Sequence, residues 1–319
     1  MGERYLITGG AGNLACQLTF ALARPGDSMT LMDIAEQPVA ATTPDCRYLR
    51  SDISDRIAVA ESIRELRPTT ILHFASLLSG SCEQDRELAW RVNMDGTFAL
   101  FEAAIQNGVG KVFFPSSLAT YGGTLPSPLP QEHPQWPEGL YGMTKVACER
   151  LGFYYARRHG LDFRCMRLPI VISRHAPAGA ASAFASRAFI EAVHNGAYTF
   201  KVFPEPEASA VYAPDVLRGI IQLLDAPRDR ITQPAYNLHG LSISADIIAR
   251  AISRRVPDAR FGFDPDPHVA RLIASWPAVV DDGSARRDWG WAPTYHAVEP
   301  LADDFLAELR AEARAAEGS

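Results

Sequence analysis

The sequence predicts an α/β fold, a doubly wound parallel sheet followed by a small C-terminal lobe. Three observations predict it. Short β-prone runs alternate with amphipathic helical stretches through the first half of the 319 residues. The first run, Arg4 to Thr8, ends in a glycine turn, Gly9-Gly10-Ala11-Gly12, that opens a helix. The second, Met29 to Met32, ends in Asp33, about twenty residues past the glycines.

Strand, tight turn and helix present backbone N–H groups to a phosphate at a helix N-terminus. Gly9 and Gly12 hold the key places, Asn13 and Leu14 open the helix, and Ala15 stands where close helix–strand packing tolerates alanine. Asp33 is placed to accept hydrogen bonds from a ribose diol. No arginine follows it, which favours NAD over NADP. This is the Rossmann-type arrangement, with the cofactor site at its head.

The rhythm continues. Cys46 to Leu49 is a short strand, followed by Ser51-Asp52-Ile53, a place where Asp52 can meet adenine. Asp55 to Leu66 is a helix stopped before Pro68. Thr70 to Phe74 is a strand, leading into Ala75-Ser76-Leu77-Leu78-Ser79-Gly80. One long helix is expected from Glu83 to Asn107, with Asn93 inside it. Lys111 to Phe114 is the next strand, with Pro115-Ser116-Ser117 at its C-terminal end, where open parallel sheets bind ligands. Gly122 to Pro137 reads as a surface loop, Tyr141 to His159 as a helix closed by Gly160, and Asp162 to Leu168 as the sixth strand.

Beyond Leu168 the pattern loosens. Pro169 to Ala185 is expected to be a small-residue loop bordering a ligand. Helices follow at Phe184–His194, Asp215–Leu224 and Ser244–Arg254, with a strand at Ala235–Leu238. A charged helix ends in a tail expected to be disordered from about Ala315. The division expected is a cofactor domain over 1–168 with a return segment at about 209–240, and a substrate lobe over 169–208 and 241–319.

Tyr141 and Lys145 stand four residues apart, so on a helix they share a face. An ammonium beside a phenol favours the phenolate, so the tyrosine pKa is expected to fall from about 10. Such a phenol can exchange a proton with a substrate hydroxyl, and Ser117 can hydrogen-bond the same oxygen. That set suits hydride removal from a secondary alcohol.

Composition narrows the alternatives. A net charge of -6, with no basic stripe, makes nucleic acid an unexpected partner. No apolar run approaches a membrane span. Five scattered cysteines without Cys-x-x-Cys suggest reduced thiols and a cytoplasmic protein. Eight histidines show no ligand spacing, so no metal is expected.

Together Gly9-x-x-Gly12-x-x-Ala15, Asp33, Ser117 and Tyr141-x-x-x-Lys145 resemble the extended short-chain dehydrogenase/reductase superfamily, also called the NAD-dependent epimerase/dehydratase family. Leu161 to Arg167, Ser275-Trp276-Pro277 and Asp281 to Trp291 look like its short-chain-type L-threonine 3-dehydrogenase group. Ser79-Gly80, Leu88 to Asn93, Ser116 to Pro126 and Ala180 to Phe184 look like its D-erythronate dehydrogenase group. The threonine group carries Gly-Gly-Gly-Thr-Thr-Asp-Tyr where this chain has Ala178 to Phe184. The lost hydroxyl and the lost anion both count against threonine itself.

The resemblance implies roles. Tyr141 would be the acid/base, Lys145 its tuner and ribose contact, and Ser117 the hydroxyl positioner. Phe74, Ala75, Ser76 and Asn93 would join Asp52 and Ile53 around NAD, and the backbone at Leu168 and Ile170 would pass the nicotinamide. Ser79, Ser182 and Trp276 would line the substrate pocket, with core packing the other reading for Trp276. Arg174 would clamp a substrate carboxylate or else stand exposed. The activity implied is NAD-dependent oxidation of a small β-hydroxy acid or β-hydroxy amino acid. A nucleotide-sugar epimerase or dehydratase is the alternative, against which Arg167-Leu168-Pro169-Ile170 lacks an amide and Leu118-Ala119 lacks an acidic pair. A non-catalytic NAD sensor is a third reading. A homodimer is expected through Glu83–Asn107 and Ala147–His159, using Leu88, Phe98, Phe101, Leu151, Phe153 and Tyr154.

Overall fold

β1 (Arg4–Thr8) carries four buried residues in a row, as a strand covered on both faces must. A computed structural model describes residues 2–175 and 180–317. After β1 come α1 (Asn13–Leu22), β2 (Ser28–Asp33), β3 (Arg47–Arg50), α2 (Arg56–Leu66) and β4 (Thr70–His73). Asp55 caps α2 by accepting from the amides of Ile57 and Ala58. The chain then forms α3 (Ser79–Gln84), α4 (Arg86–Trp90), a π-helical segment (Arg91–Gly96) and α5 (Thr97–Gln106).

This stretch corrects the single helix expected from Glu83 to Asn107. Asp85 is extended at φ -137°, and its carboxylate starts α4 by accepting from Leu88 N at 2.9 Å. The π segment then widens the ladder at Asn93, a distortion common at functional sites.

β5 (Lys111–Ser117), α6 (Leu140–His159) and β6 (Asp162–Leu168) follow. β7 (Ile170–Ile172) is a strand inside the segment expected to be loop. Then come α7 (Phe184–His194), β8 (Ala197–Phe200), β9 (Ala208–Tyr212), α8 (Ala213–Asp225) and β10 (Tyr236–Asn237). The last elements are β11 (Leu241–Ile243), α9 (Ala245–Ser253), β12 (Arg260–Phe263), α10 (Pro267–Ala274), α11 (Gly283–Trp289) and α12 (Val298–Glu317). α12 runs past Ala315, where a tail was expected, to Glu317.

The central sheet orders its strands β10-β6-β5-β4-β1-β2-β3, with every neighbouring pair parallel. The order reverses between β1 and β4, which opens a crevice at their C-terminal ends. α1 and α8 cover one face, and α2, α5 and α6 the other. β9 does not return to this sheet. It pairs with β7 and β11 in a three-stranded sheet, so the return begins at α8. The lobe has its own core, including Ile172, Phe189, Phe200, Ile248 and Phe305. Among the described residues no helix is long and apolar enough to cross a membrane.

Candidate active site

The crevice begins at Gly9. Its φ is +67°, and a Cβ there would lie 2.6 Å from Ala75 N and 2.7 Å from Phe74 C. The turn can therefore press on the end of β4 only as glycine. Gly12 precedes α1 without a side-chain cap, leaving the first amides of the helix open to an anion. Among the described residues the Asn13 Nδ2 is buried there without a partner, while its Oδ1 accepts from Gln17 at 2.8 Å. Asp33 is fixed at the turn, its Oδ2 accepting from Ala11 N and its Oδ1 from Ala35 N, both at 3.0 Å. Further along, Asp52 Oδ1 accepts from Ser54 N and Oγ at 2.8 Å, and the Ser51 hydroxyl is buried without a partner among the described residues. Ile53 is buried beside them. An open helix N-terminus, an orphaned amide, a fixed carboxylate and an orphaned hydroxyl fit a dinucleotide.

The segment after β4 is held by a buried chain of polar groups. Thr97 Oγ1 donates to Asn93 O at 2.6 Å, so it accepts from His73 Nε2 at 2.9 Å. His73 Nδ1 then accepts from Thr8 Oγ1 at 2.6 Å, and Thr8 Oγ1 accepts from Ala75 N at 3.3 Å. Burial pushes the His73 pKa down to about 3, which keeps the ring neutral and this tautomer fixed. Asn93 Oδ1 accepts from Leu77 N at 2.8 Å, and its Nδ2 donates to Leu77 O at 3.1 Å and Thr144 Oγ1 at 3.2 Å. Thr144 Oγ1 donates in turn to Tyr141 O at 2.8 Å. Asn93 was expected to touch NAD. Its amide bonds within the chain, where it ties Leu77, just past Phe74-Ala75-Ser76, to Thr144 on the helix of Tyr141.

The reacting groups meet at the ends of β5 and α6. A Cβ on Gly142 would lie 2.0 Å from Ala119 O, so α6 reaches the turn after Ser117 only because residue 142 has no side chain. Ser117 sits opposite Leu168 in the ladder, and its Oγ accepts from Ala119 N at 3.1 Å, capping that turn. Lys145 is 4% exposed. Its Nζ donates to Pro115 O at 2.9 Å and lies 4.4 Å from the centre of the Phe114 ring and 5.5 Å from that of Tyr141.

Burial lowers the Lys145 pKa to about 8. Tyr141 departs from expectation. Its pKa is raised, because the desolvation of the phenol outweighs the opposing Ser117 hydroxyl. The ammonium has turned to Pro115 O and the Phe114 face, so it does not reach the phenol closely enough to reverse this.

The substrate side is less uniform. Ser79 opens α3, whose Glu83 accepts from Leu140 N at 2.9 Å and docks that helix on the start of α6. Ser182 lies in a short turn, Ala181–Ala183, before α7. Ala178 and Gly179 of the same loop lie outside the described residues. Arg174 was expected either to clamp a substrate carboxylate or to stand as an exposed arginine. It is already paired with Glu312 of α12 at 2.6 Å, because the fold brings α12 across the loop. Trp276 is partly buried and packs against the core of the lobe. Leu168 and Ile170 are buried at the junction of the two sheets.

Sequence reasoning missed Glu149 and Arg167, a buried ion pair bonded at 2.8 and 2.9 Å. One signal was available. Glu149 continues the Tyr141, Lys145 spacing by one more turn, an acid on a face that must be covered.

A crevice for a dinucleotide beside a Ser, Tyr and Lys set defines an NAD-linked oxidoreductase of Rossmann type. The model of the NAD dependent epimerase/dehydratase family matches residues 5–238, and the chain belongs to that family. It is similar to the mitochondrial L-threonine 3-dehydrogenase of Bos taurus, 35% identical over 295 residues, covering 91% of this chain and 78% of the relative. Among solved structures, the L-threonine dehydrogenase of Clostridium difficile superposes with a TM-score of 0.90 at 30% identity, covering 98% of both chains. The holo form of a GalE-like L-threonine dehydrogenase from Cupriavidus necator superposes with a TM-score of 0.89 at 31% identity, covering 96% of this chain and 99% of the other. The chain is an NAD-dependent dehydrogenase of this family.

Proposed function

We propose that this dehydrogenase oxidises the secondary alcohol of a small β-hydroxy amino acid or β-hydroxy acid, with Tyr141, Lys145 and Ser117 as its acid–base set. The single observation that carries the reading is the convergence of these three side chains at the C-terminal end of β5, where the Ser117 hydroxyl hydrogen-bonds the Tyr141 phenol and Lys145 Nζ lies 5.5 Å from the centre of its ring. Tyr141 takes the proton of the substrate hydroxyl, and Ser117 holds the oxygen from which it leaves. Lys145 supplies positive charge that favours the phenolate form of Tyr141, the form that accepts this proton and becomes the phenol. NAD, when bound, supplies the hydride acceptor and a second positive charge, for which the raised phenol leaves a need. Gly9, Gly12, Asn13, Leu14 and Asp33 would hold the pyrophosphate and adenine ribose, and Asp52 and Ile53 would border the adenine. L-Threonine leads the candidates through the relatives, and four-carbon sugar acids such as D-erythronate follow through the Ala180 to Phe184 loop.

The test is NADH formation at basic pH with L-threonine, other β-hydroxy amino acids, D-erythronate and UDP-sugars, for the wild type and Tyr141→Phe. Turnover of a hydroxy acid or amino acid that falls at least a hundredfold in the variant supports the assignment. Full turnover by Tyr141→Phe, or turnover of UDP-sugars alone, refutes it.

We further infer a cytoplasmic homodimer. All five cysteines are free thiols. Trp90, Phe98, Phe153 and Tyr154 are 42 to 50% exposed on the α4–α6 face, where Trp90, Phe98 and Tyr154 line a shallow depression of about 450 Å³. Phe101, expected on that face, is instead core. Light scattering giving a monomer mass at micromolar concentration would remove the dimer.

A further inference from the structure

We propose that Glu149 and Arg167 form the positioning pair of this reaction, a buried clamp that sets the distance between Ser117 and the helix carrying Tyr141 and Lys145. The proposal rests on the reading of those three as the reacting set. Glu149 lies one turn beyond Lys145 on α6 and is 1% exposed. Its carboxylate receives both Nε and Nη2 of Arg167, at 2.9 and 2.8 Å, in a two-pronged pair. The same carboxylate accepts from the hydroxyl of Ser116, the residue immediately before Ser117, and from Gln135 Nε2 at 3.1 Å. One acid therefore bonds the strand end that presents Ser117 while riding on the helix that presents Tyr141.

Arg167 holds the other end of the same turn. The turn after Ser117 closes at Tyr121, and Arg167 Nη1 donates to Tyr121 Oη at 2.7 Å and to Asn237 Oδ1 at 3.2 Å. Tyr121 Oη donates to Asn237 Oδ1 at 3.0 Å, and Gln131 Oε1 accepts from Asn237 N at 2.9 Å. Both ends of the 117–121 segment are thus tied to one ion pair spanning α6, β5, β6 and β10. Stability alone is a poor reason for such a pair, since apolar residues of the same volume commonly stabilise a core as well or better. A directional carboxylate with four donors gives something apolar packing does not, a fixed register between two elements. Errors of about 1 Å between reacting groups cost about a hundredfold in rate.

The experiment compares Glu149→Gln and Ser116→Ala with wild type and Tyr141→Phe, using L-threonine or the best hydroxy-acid substrate of the panel. Thermal midpoint, NAD dissociation constant, kcat and the primary deuterium isotope effect are read together. The expected result is folded variants with NAD affinity within about twofold, kcat down about tenfold or more in Glu149→Gln and several-fold in Ser116→Ala, and a larger isotope effect as hydride transfer becomes limiting. Folded variants with kcat within about twofold of wild type overturn the proposal, as does a loss of kcat that only tracks lost NAD binding. If Glu149→Gln does not fold, Ser116→Ala decides alone, since it deletes one hydroxyl and leaves the ion pair. An active Tyr141→Phe would instead bring down the reading beneath, which these variants do not share.

Discussion

Replacing Lys145 by methionine should stabilise the folded protein at neutral pH while removing its activity. The side chain is 4% exposed and its pKa falls from 10.5 to about 8, because burial penalises the ammonium. At about 1.4 kcal/mol per tenfold, this drop amounts to about 3 kcal/mol set against folding. Methionine has similar volume but leaves Pro115 O without the 2.9 Å bond it has now, a loss of about 1–2 kcal/mol. The net gain is about 1–2 kcal/mol, which for a chain of this size raises the thermal midpoint by a few degrees.

The pH dependence carries the sign. The folded pKa of about 8 lies below the unfolded 10.5, so the cost is fully present below pH 8, fades as pH rises, and is gone above the unfolded value. The advantage of Lys145→Met should accordingly shrink between pH 8 and pH 10. Differential scanning calorimetry of both proteins at pH 7, 8, 9 and 10 measures it, and NADH formation measures the loss of turnover, about a hundredfold or more. A variant that is less stable at pH 7 by a margin independent of pH would refute the account of Lys145 as a strained buried cation.

Other consequences are as direct. Gly9→Ala puts a Cβ 2.6 Å from Ala75 N at a positive φ, so NAD should lose most of its stabilising effect in a thermal-shift titration. Asp33→Asn weakens the carboxylate proposed to accept from the ribose and should raise the NAD dissociation constant about tenfold, read by quenching of protein fluorescence. Gly142→Ala forces α6 away from Ala119 O, which a Cβ would approach to 2.0 Å, and should cut kcat far more than NAD affinity. Tyr154→Glu with Phe98→Glu should convert a dimer to a monomer by light scattering while leaving the far-UV circular dichroism unchanged.

Much of the chain was legible in its sequence, because local geometry writes itself into local pattern. The Gly9 turn, the acid at Asp33, the end of β5 at Ser117 and the Tyr141-to-Lys145 spacing all concern groups within a few residues of one another, or a strand–turn–helix unit of fixed length. Short β-prone runs identified the central strands, and the structure buries β1 and β4 almost throughout, as strands covered on both faces must be. The helix expected from Asp55 likewise begins on that residue, whose carboxylate accepts from the amides of Ile57 and Ala58.

What only the tertiary structure decided depends on partners distant in the chain and on the loss of water. The Arg174 fork meets Glu312, 138 residues away, and nothing near Arg174 announces it. Asn93 spends its amide on Leu77 and Thr144 because three separate elements converge on a widened helical turn. The Tyr141 pKa rises where four-residue spacing to a lysine alone foretold a fall. Spacing gives the direction of an electrostatic effect, but burial sets its competitor, and burial belongs to the whole fold.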